Sequence, residues 1–130
     1  MKKVFSLFLT LFVISGVFAQ QKEVLNVENF RKKIKKGGLM ILDVRTPQEY
    51  ADGHIKNAIN IDWNNPEEFQ LKAAQLRKTK PLYLYCHSGV RSQKAYDWLR
   101  LNGFVNVVGL DGGMEAWKKA GKRVLKMKKD

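Results

Sequence analysis

Two periods organise the apolar positions of this chain, and they take turns. Residues 23–25 read as a short strand. Asn26 then caps a helix whose apolar positions Val27, Phe30 and Ile34 share one face, and Gly37-Gly38 ends it. Residues 39–42 form a compact apolar run closed by Asp43, as expected of a strand buried on both faces. A short helix opens at Thr46-Pro47-Gln48-Glu49-Tyr50: Thr46 caps it, Pro47 takes the first helical position, and Glu49 is placed to complete a capping box. Residues 58–61 alternate like a strand, and Asn65-Pro66 repeats the cap logic for a helix carrying Phe69, Ala73 and Leu76 at helical spacing. Residues 82–85 make a strand that runs directly into Cys86. A helix follows over about 92–101, stopped by Asn102-Gly103, and then a strand over 105–108. Asp111-Gly112-Gly113 leads into a last helix around Trp117, ending near Gly121.

Strands alternating with amphipathic helices predict an α/β domain: a doubly wound, mostly parallel sheet of about five strands with helices on both faces. Neither repeats nor interior linkers divide the 130 residues, a length suited to one domain. In open sheets of this kind, ligands bind in the crevice at the carboxyl ends of the strands. Cys86 stands at such an end.

The beginning of the chain follows a different pattern. Met1-Lys2-Lys3 precedes an uncharged apolar run over 4–18, with Val17 and Ala19 as the small or aliphatic residues of a cleavage site. This predicts a signal peptide over 1–19, cleaved after Ala19, and a domain over 20–130 that is exported, with the periplasm as the expected compartment. The run falls short of the roughly 20 apolar residues of a membrane span, so no stable insertion is expected after cleavage. Loss of Lys2 and Lys3 lowers the formal net charge from +12 to +10. Much of that excess lies in residues 31–36 and in a basic tail over 118–129, which read as solvated helix faces and a frayed end. Neither run interleaves aromatic residues for base stacking, so no nucleic-acid partner is expected. The positive field favours small anionic substrates.

Cys86 is the single cysteine, which excludes an intramolecular disulfide and a cysteine-based zinc site. His54 and His87 do not make a metal motif, so neither metal nor cofactor is expected. The segment Cys86-His87-Ser88-Gly89-Val90-Arg91-Ser92 joins a strand to a helix. A tight loop eased by Gly89 can turn successive backbone N–H groups inward as an anion-binding nest, with the helix N-terminus and Arg91 adding positive charge. Cysteines at helix N-termini beside cations ionise readily, and the thiolate is the nucleophile. A cysteine can equally be a small buried filler at a strand end. A filler, however, does not call for the polar, glycine-containing loop that follows.

Tyr83 to Ser92 resembles the active-site loop of rhodanese-like sulfurtransferase domains. Leu42-Asp43-Val44-Arg45-Thr46-Pro47-Gln48-Glu49-Tyr50, with Gly53-His54-Ile55 and Ala58-Ile59-Asn60-Ile61, resembles the upstream signature of that family, and Gly109 to Trp117 its downstream one. The resemblance implies a rhodanese-like fold and a thiosulfate sulfurtransferase. Cys86 would take the outer sulfur of a small sulfur anion such as thiosulfate as a persulfide, and a thiol or cyanide would then accept it. The loop from His87 through Ser88, Gly89, Val90 and Ser92 would stabilise the persulfide anion, Arg91 would hold the anionic donor, and no cofactor is needed. Phosphatases on this fold place five residues between cysteine and arginine. Here Arg91 comes one residue early and position 92 is Ser, which disfavours phosphatase chemistry. Arsenate reduction has no specific support. A non-catalytic binding or sensing module is the alternative from another class, and the presence of Cys86 argues against it. An exported thiolate also calls for a redox partner in the same compartment that guards it from over-oxidation.

Other polar residues have structural readings. Asp43 and Arg45, just past a strand end, are expected to form a hydrogen-bond or ion-pair network supporting the loop. His54 reads as a packing histidine, while His87 either tunes Cys86 or faces solvent. Trp63, Trp98 and Trp117 suit core or rim packing, and Asp111, Gly112 and Gly113 suit cap and turn geometry.

Overall fold

The computed structural model describes residues 22–128; the expected signal peptide over 1–19 lies outside them. Ten elements alternate along the described chain: β1 (Val24–Leu25), α1 (Val27–Lys36), β2 (Met40–Asp43), α2 (Pro47–Asp52), β3 (Ile59–Asn60), α3 (Pro66–Ala73), β4 (Leu82–Tyr85), α4 (Val90–Leu101), β5 (Val107–Leu110) and α5 (Gly113–Lys119). The five strands form one sheet in the order β1-β5-β4-β2-β3, and every pair in it is parallel.

Side chains on a strand alternate between its faces, so this sheet builds two cores. Leu42, Leu82, Leu84 and Val107 point to one side, where α3 supplies Phe69 and Ala73 and α4 supplies Ala95, Tyr96 and Leu99. Ile41, Tyr83, Tyr85 and Val108 point to the other, against Val27 and Phe30 of α1 and Met114 and Trp117 of α5. All four residues of β4 are buried, as its uninterrupted apolar character requires of a central strand.

The predicted caps are present. Asn26 Oδ1 accepts from Asn29 N–H, and Thr46 and Glu49 close a complete capping box at α2. Two boundaries differ from the sequence reading. Helix α4 begins at Val90 rather than near Ser92, because Gly89 takes φ +113 and turns the chain straight into the helix. Strand β5 runs two residues later than the apolar run over 105–108: Val105 is exposed, whereas Gly109 and Leu110 pair with β1. Lys32, Lys33, Lys35 and Lys36 of α1 are exposed, as expected of a solvated helix face.

Candidate active site

The carboxyl end of β4 leads into the loop at Cys86. Its thiol is buried, 1% exposed, and sits in a closed ring of hydrogen bonds. Gly89 N–H donates to Cys86 Sγ (3.0 Å), the thiol donates to Ser92 Oγ (3.3 Å), and the Ser92 hydroxyl donates to Gly89 O (3.1 Å). The first α-helical bond of α4, from Gln93 N–H to Gly89 O, spans 3.1 Å. The N–H groups of Val90, Arg91 and Ser92 therefore belong to the first turn, which has no intrahelical acceptors for them. Helix α4 thus begins with a partial positive charge beside the sulfur. His87, Ser88 and Val90 are exposed, and a crevice of about 50 Å³ beside the loop is lined in part by Ser88, Gly89 and Ser92. His87 faces solvent, with Nε2 3.9 Å from Glu115 Oε2.

Arg91 makes a bidentate pair with Glu49: Nη1 to Oε1 at 2.6 Å and Nη2 to Oε2 at 2.9 Å. The guanidinium holds the Glu49 carboxyl down to about 2, well below the usual carboxylate range. The same Glu49 Oε1 accepts from Thr46 N–H and Oγ1 within the capping box. One carboxylate therefore ties the start of α2 to the first turn of α4. Sequence reasoning assigned Glu49 only its local role, since the link to Arg91 crosses 42 positions.

Asp43 and Arg45 are both buried and form an ion pair through Arg45 Nε (3.0 Å) and Nη2 (2.7 Å). Nη2 also donates to Gly53 O (2.6 Å), and the guanidinium lies 5.5 Å over the Tyr85 ring. Asn60 Nδ2 donates to the carbonyl oxygens of Asp43 (3.1 Å) and Arg45 (2.8 Å), and Val44 N–H donates to Tyr85 O (3.1 Å). This network fixes the ends of β2, β3 and β4 immediately before Cys86. His54 stacks on Tyr50 at 3.8 Å with Nδ1 bonded to Tyr50 O (2.8 Å), a packing histidine with satisfied groups.

Gly113 has a larger part than turn geometry. Met114 N–H donates to Cys86 O (2.8 Å) and Glu115 N–H to His87 O (3.0 Å), so α5 abuts the loop from behind. A Cβ on Gly113 would stand 2.4 Å from Cys86 O. The Gly112-Gly113 pair signals such a close approach, but a sequence alone does not show what is approached. Among the described residues, no group of three or more His, Cys, Asp or Glu side chains could hold a metal ion.

The comparisons agree with this architecture. The chain is 35% identical over 97 residues to thiosulfate sulfurtransferase GlpE of Coxiella burnetii, covering 75% of this chain and 87% of that protein. It is 36% identical over 102 residues to the tRNA uridine(34) hydroxylase of Buchnera aphidicola, covering 76% of this chain but only 30% of that longer protein. The crystal structure of a rhodanese-related protein from Thermoplasma volcanium superposes with a TM-score of 0.70 at 32% identity, covering 79% of this chain and 97% of that one. The rhodanese-like domain model matches residues 26–120, which contain β2 to β5, the Cys86 loop and its supports, and the chain belongs to the rhodanese-like domain family.

Proposed function

We propose that the protein is a sulfurtransferase that carries sulfane sulfur on Cys86. The observation that carries this reading is the sulfur itself: a thiol at the end of β4, held by Gly89 N–H at 3.0 Å and standing at the N-terminus of α4. The Cys86 thiolate attacks the outer sulfur of a thiosulfate-like donor. The donor's S–S bond breaks, and sulfite leaves with the bonding electron pair. The terminal sulfur of the resulting persulfide bears the negative charge, which the loop amides and the first turn of α4 stabilise as preorganised dipoles. Arg91 adds positive charge for the anionic donor, moderated by its pair with Glu49. In the second step a thiolate or cyanide attacks the terminal sulfur, and the Cys86 thiolate departs. Because Cys86 is the chain's single cysteine, the acceptor is an external molecule. Two half-reactions imply ping-pong kinetics.

Export of residues 20–130 to the periplasm, where a redox partner keeps Cys86 from over-oxidation, belongs to the same proposal and rests on the pattern of residues 1–19. The test is thiosulfate:cyanide sulfurtransferase activity of the full chain beside Cys86→Ala, with intact mass taken after thiosulfate treatment. Thiocyanate formation and a one-sulfur mass gain, both lost in Cys86→Ala, are expected. An unchanged mass without turnover would reject thiosulfate as donor and favour a binding module.

A further inference from the structure

A cavity of about 550 Å³ opens on the α1–α5 side of the sheet, and no residue of the Cys86 loop lines it. Its apolar lining comes from Ile34, Ile41, Ile55, Trp117 and Leu125. Arg31, Lys35, Lys56, Lys122 and Arg123 line the same cavity, and no acidic residue does. Among the described residues only Lys122 of these five makes an ion pair, with Glu28 at 2.7 Å. The wall formed by residues 121–125 is fixed. Trp117 Nε1 donates to Arg123 O (3.0 Å), and His54 and Leu125 exchange two backbone hydrogen bonds of 2.9 and 2.8 Å. Asn57, on the rim, is the one non-glycine residue with left-handed φ (+70°) among the described residues.

A concave space of this size with an apolar floor is of the kind that holds small molecules. Arg31, Lys35, Lys56 and Arg123 make no ion pair among the described residues, and such an excess of positive charge around the cavity raises the local concentration of anions. An inorganic anion would leave the apolar floor uncovered, and a neutral apolar molecule would leave the cations without partners. We propose that this cavity is a second binding site, separate from Cys86, for an amphipathic organic anion: an apolar body bearing a carboxylate, sulfonate or phosphate. The site does not depend on the sulfur-transfer reading, since it shares no residue with the loop.

Trp117 lines the cavity, whereas Trp63 and Trp98 pack against the opposite core, so the three indole N–H resonances form a built-in comparison. The experiment titrates the isotope-labelled full chain with anilinonaphthalene sulfonate and, separately, with monomeric dodecanoate, inorganic sulfate and vesicles of anionic phospholipid. The Trp117 resonance is expected to shift saturably with both amphiphiles while those of Trp63 and Trp98 stay in place, and sulfate should give no saturation. Lys56 and Arg123 are exposed, so Lys56→Glu with Arg123→Glu preserves the fold and is expected to weaken binding by about fivefold or more, less so at high salt. Equal movement of all three resonances, binding unchanged by the charge reversals, or attachment to vesicles without binding of the free amphiphiles would overturn the proposal. Cys86→Ala should leave the titration unchanged.

Discussion

Substituting Gly113 by alanine puts a methyl group where two backbone carbonyl oxygens already stand. The new Cβ would lie 2.4 Å from Cys86 O and 2.7 Å from His87 O, and neither oxygen belongs to a side chain that could swing away. Relief requires α5 to back off from the loop, which gives up the hydrogen bonds from Met114 N–H and Glu115 N–H to those same oxygens. Each is worth about 1 kcal/mol net. Gly113 also sits at φ +58, where a residue with a Cβ costs about 1–2 kcal/mol more than glycine. Together these come to about 3–4 kcal/mol. Gly121→Ala supplies the comparison: its φ is +72 and nothing lies within 4 Å of the added methyl, so it carries the positive-φ cost without the collision. Urea and thermal unfolding of the two variants should differ by about 2 kcal/mol, or about 8–16 °C in Tm. Gly113→Ala should also load sulfur slowly, because the loop it displaces holds Cys86. Equal stability losses in the two variants would refute the close approach of α5 to the loop.

Asp43→Asn leaves the Arg45 guanidinium buried without its counter-charge, and a loss of about 3–5 kcal/mol in urea unfolding is expected. The apolar pair Asp43→Leu with Arg45→Met should recover part of it, so a single variant as stable as the double would contradict a buried ion pair. Pairing with Arg91 depresses the Glu49 carboxyl from 4.5 to about 2, so its contribution to stability is complete above pH 4.5 and drains away as the pH falls towards 2. Glu49→Gln should therefore cost about 1–2 kcal/mol at neutral pH after solvent screening, with the gap narrowing below pH 4.5; a gap independent of pH would count against the pair. Ser92→Ala removes the hydroxyl between Cys86 Sγ and Gly89 O, and sulfur loading measured by intact mass should slow about tenfold while the melting temperature changes little. Unchanged loading would remove Ser92 from the machinery.

Much of this architecture could be read in the chain because local and tertiary signals agree. Strand β4 lies where residues 82–85 predict it, and Thr46, Pro47 and Glu49 cap α2 as their spacing requires. Disagreement arises where one residue serves two masters. The helix reads as starting near Ser92, yet Ser92 lies inside the first turn with its hydroxyl committed to the sulfur ring. The strand reads as ending at Val108, yet Gly109 belongs to β5 and pairs with Val24 of β1; a Cβ there would meet Val24 at 3.7 Å. In the site, Cys86 and its loop were legible because the chemistry is local to seven consecutive residues. The partnership of Arg91 with Glu49 was not, and neither was the contact of Gly113 with Cys86. Both join segments far apart in the chain, and neither residue type announces its partner.

The burial of Cys86 has a consequence for traffic through the proposed reaction. With its thiol 1% exposed, the sulfur-free protein admits only reactants small enough to reach past the loop. Adding one sulfur lengthens the side chain by an S–S bond of about 2.05 Å and carries the reactive atom outward. A bulky maleimide should therefore label the sulfur-loaded chain faster than the bare one, and equal rates would oppose this. Sulfur would then enter through a narrow door and leave through a wide one, so the donor must be small while the acceptor is free to be as large as another protein.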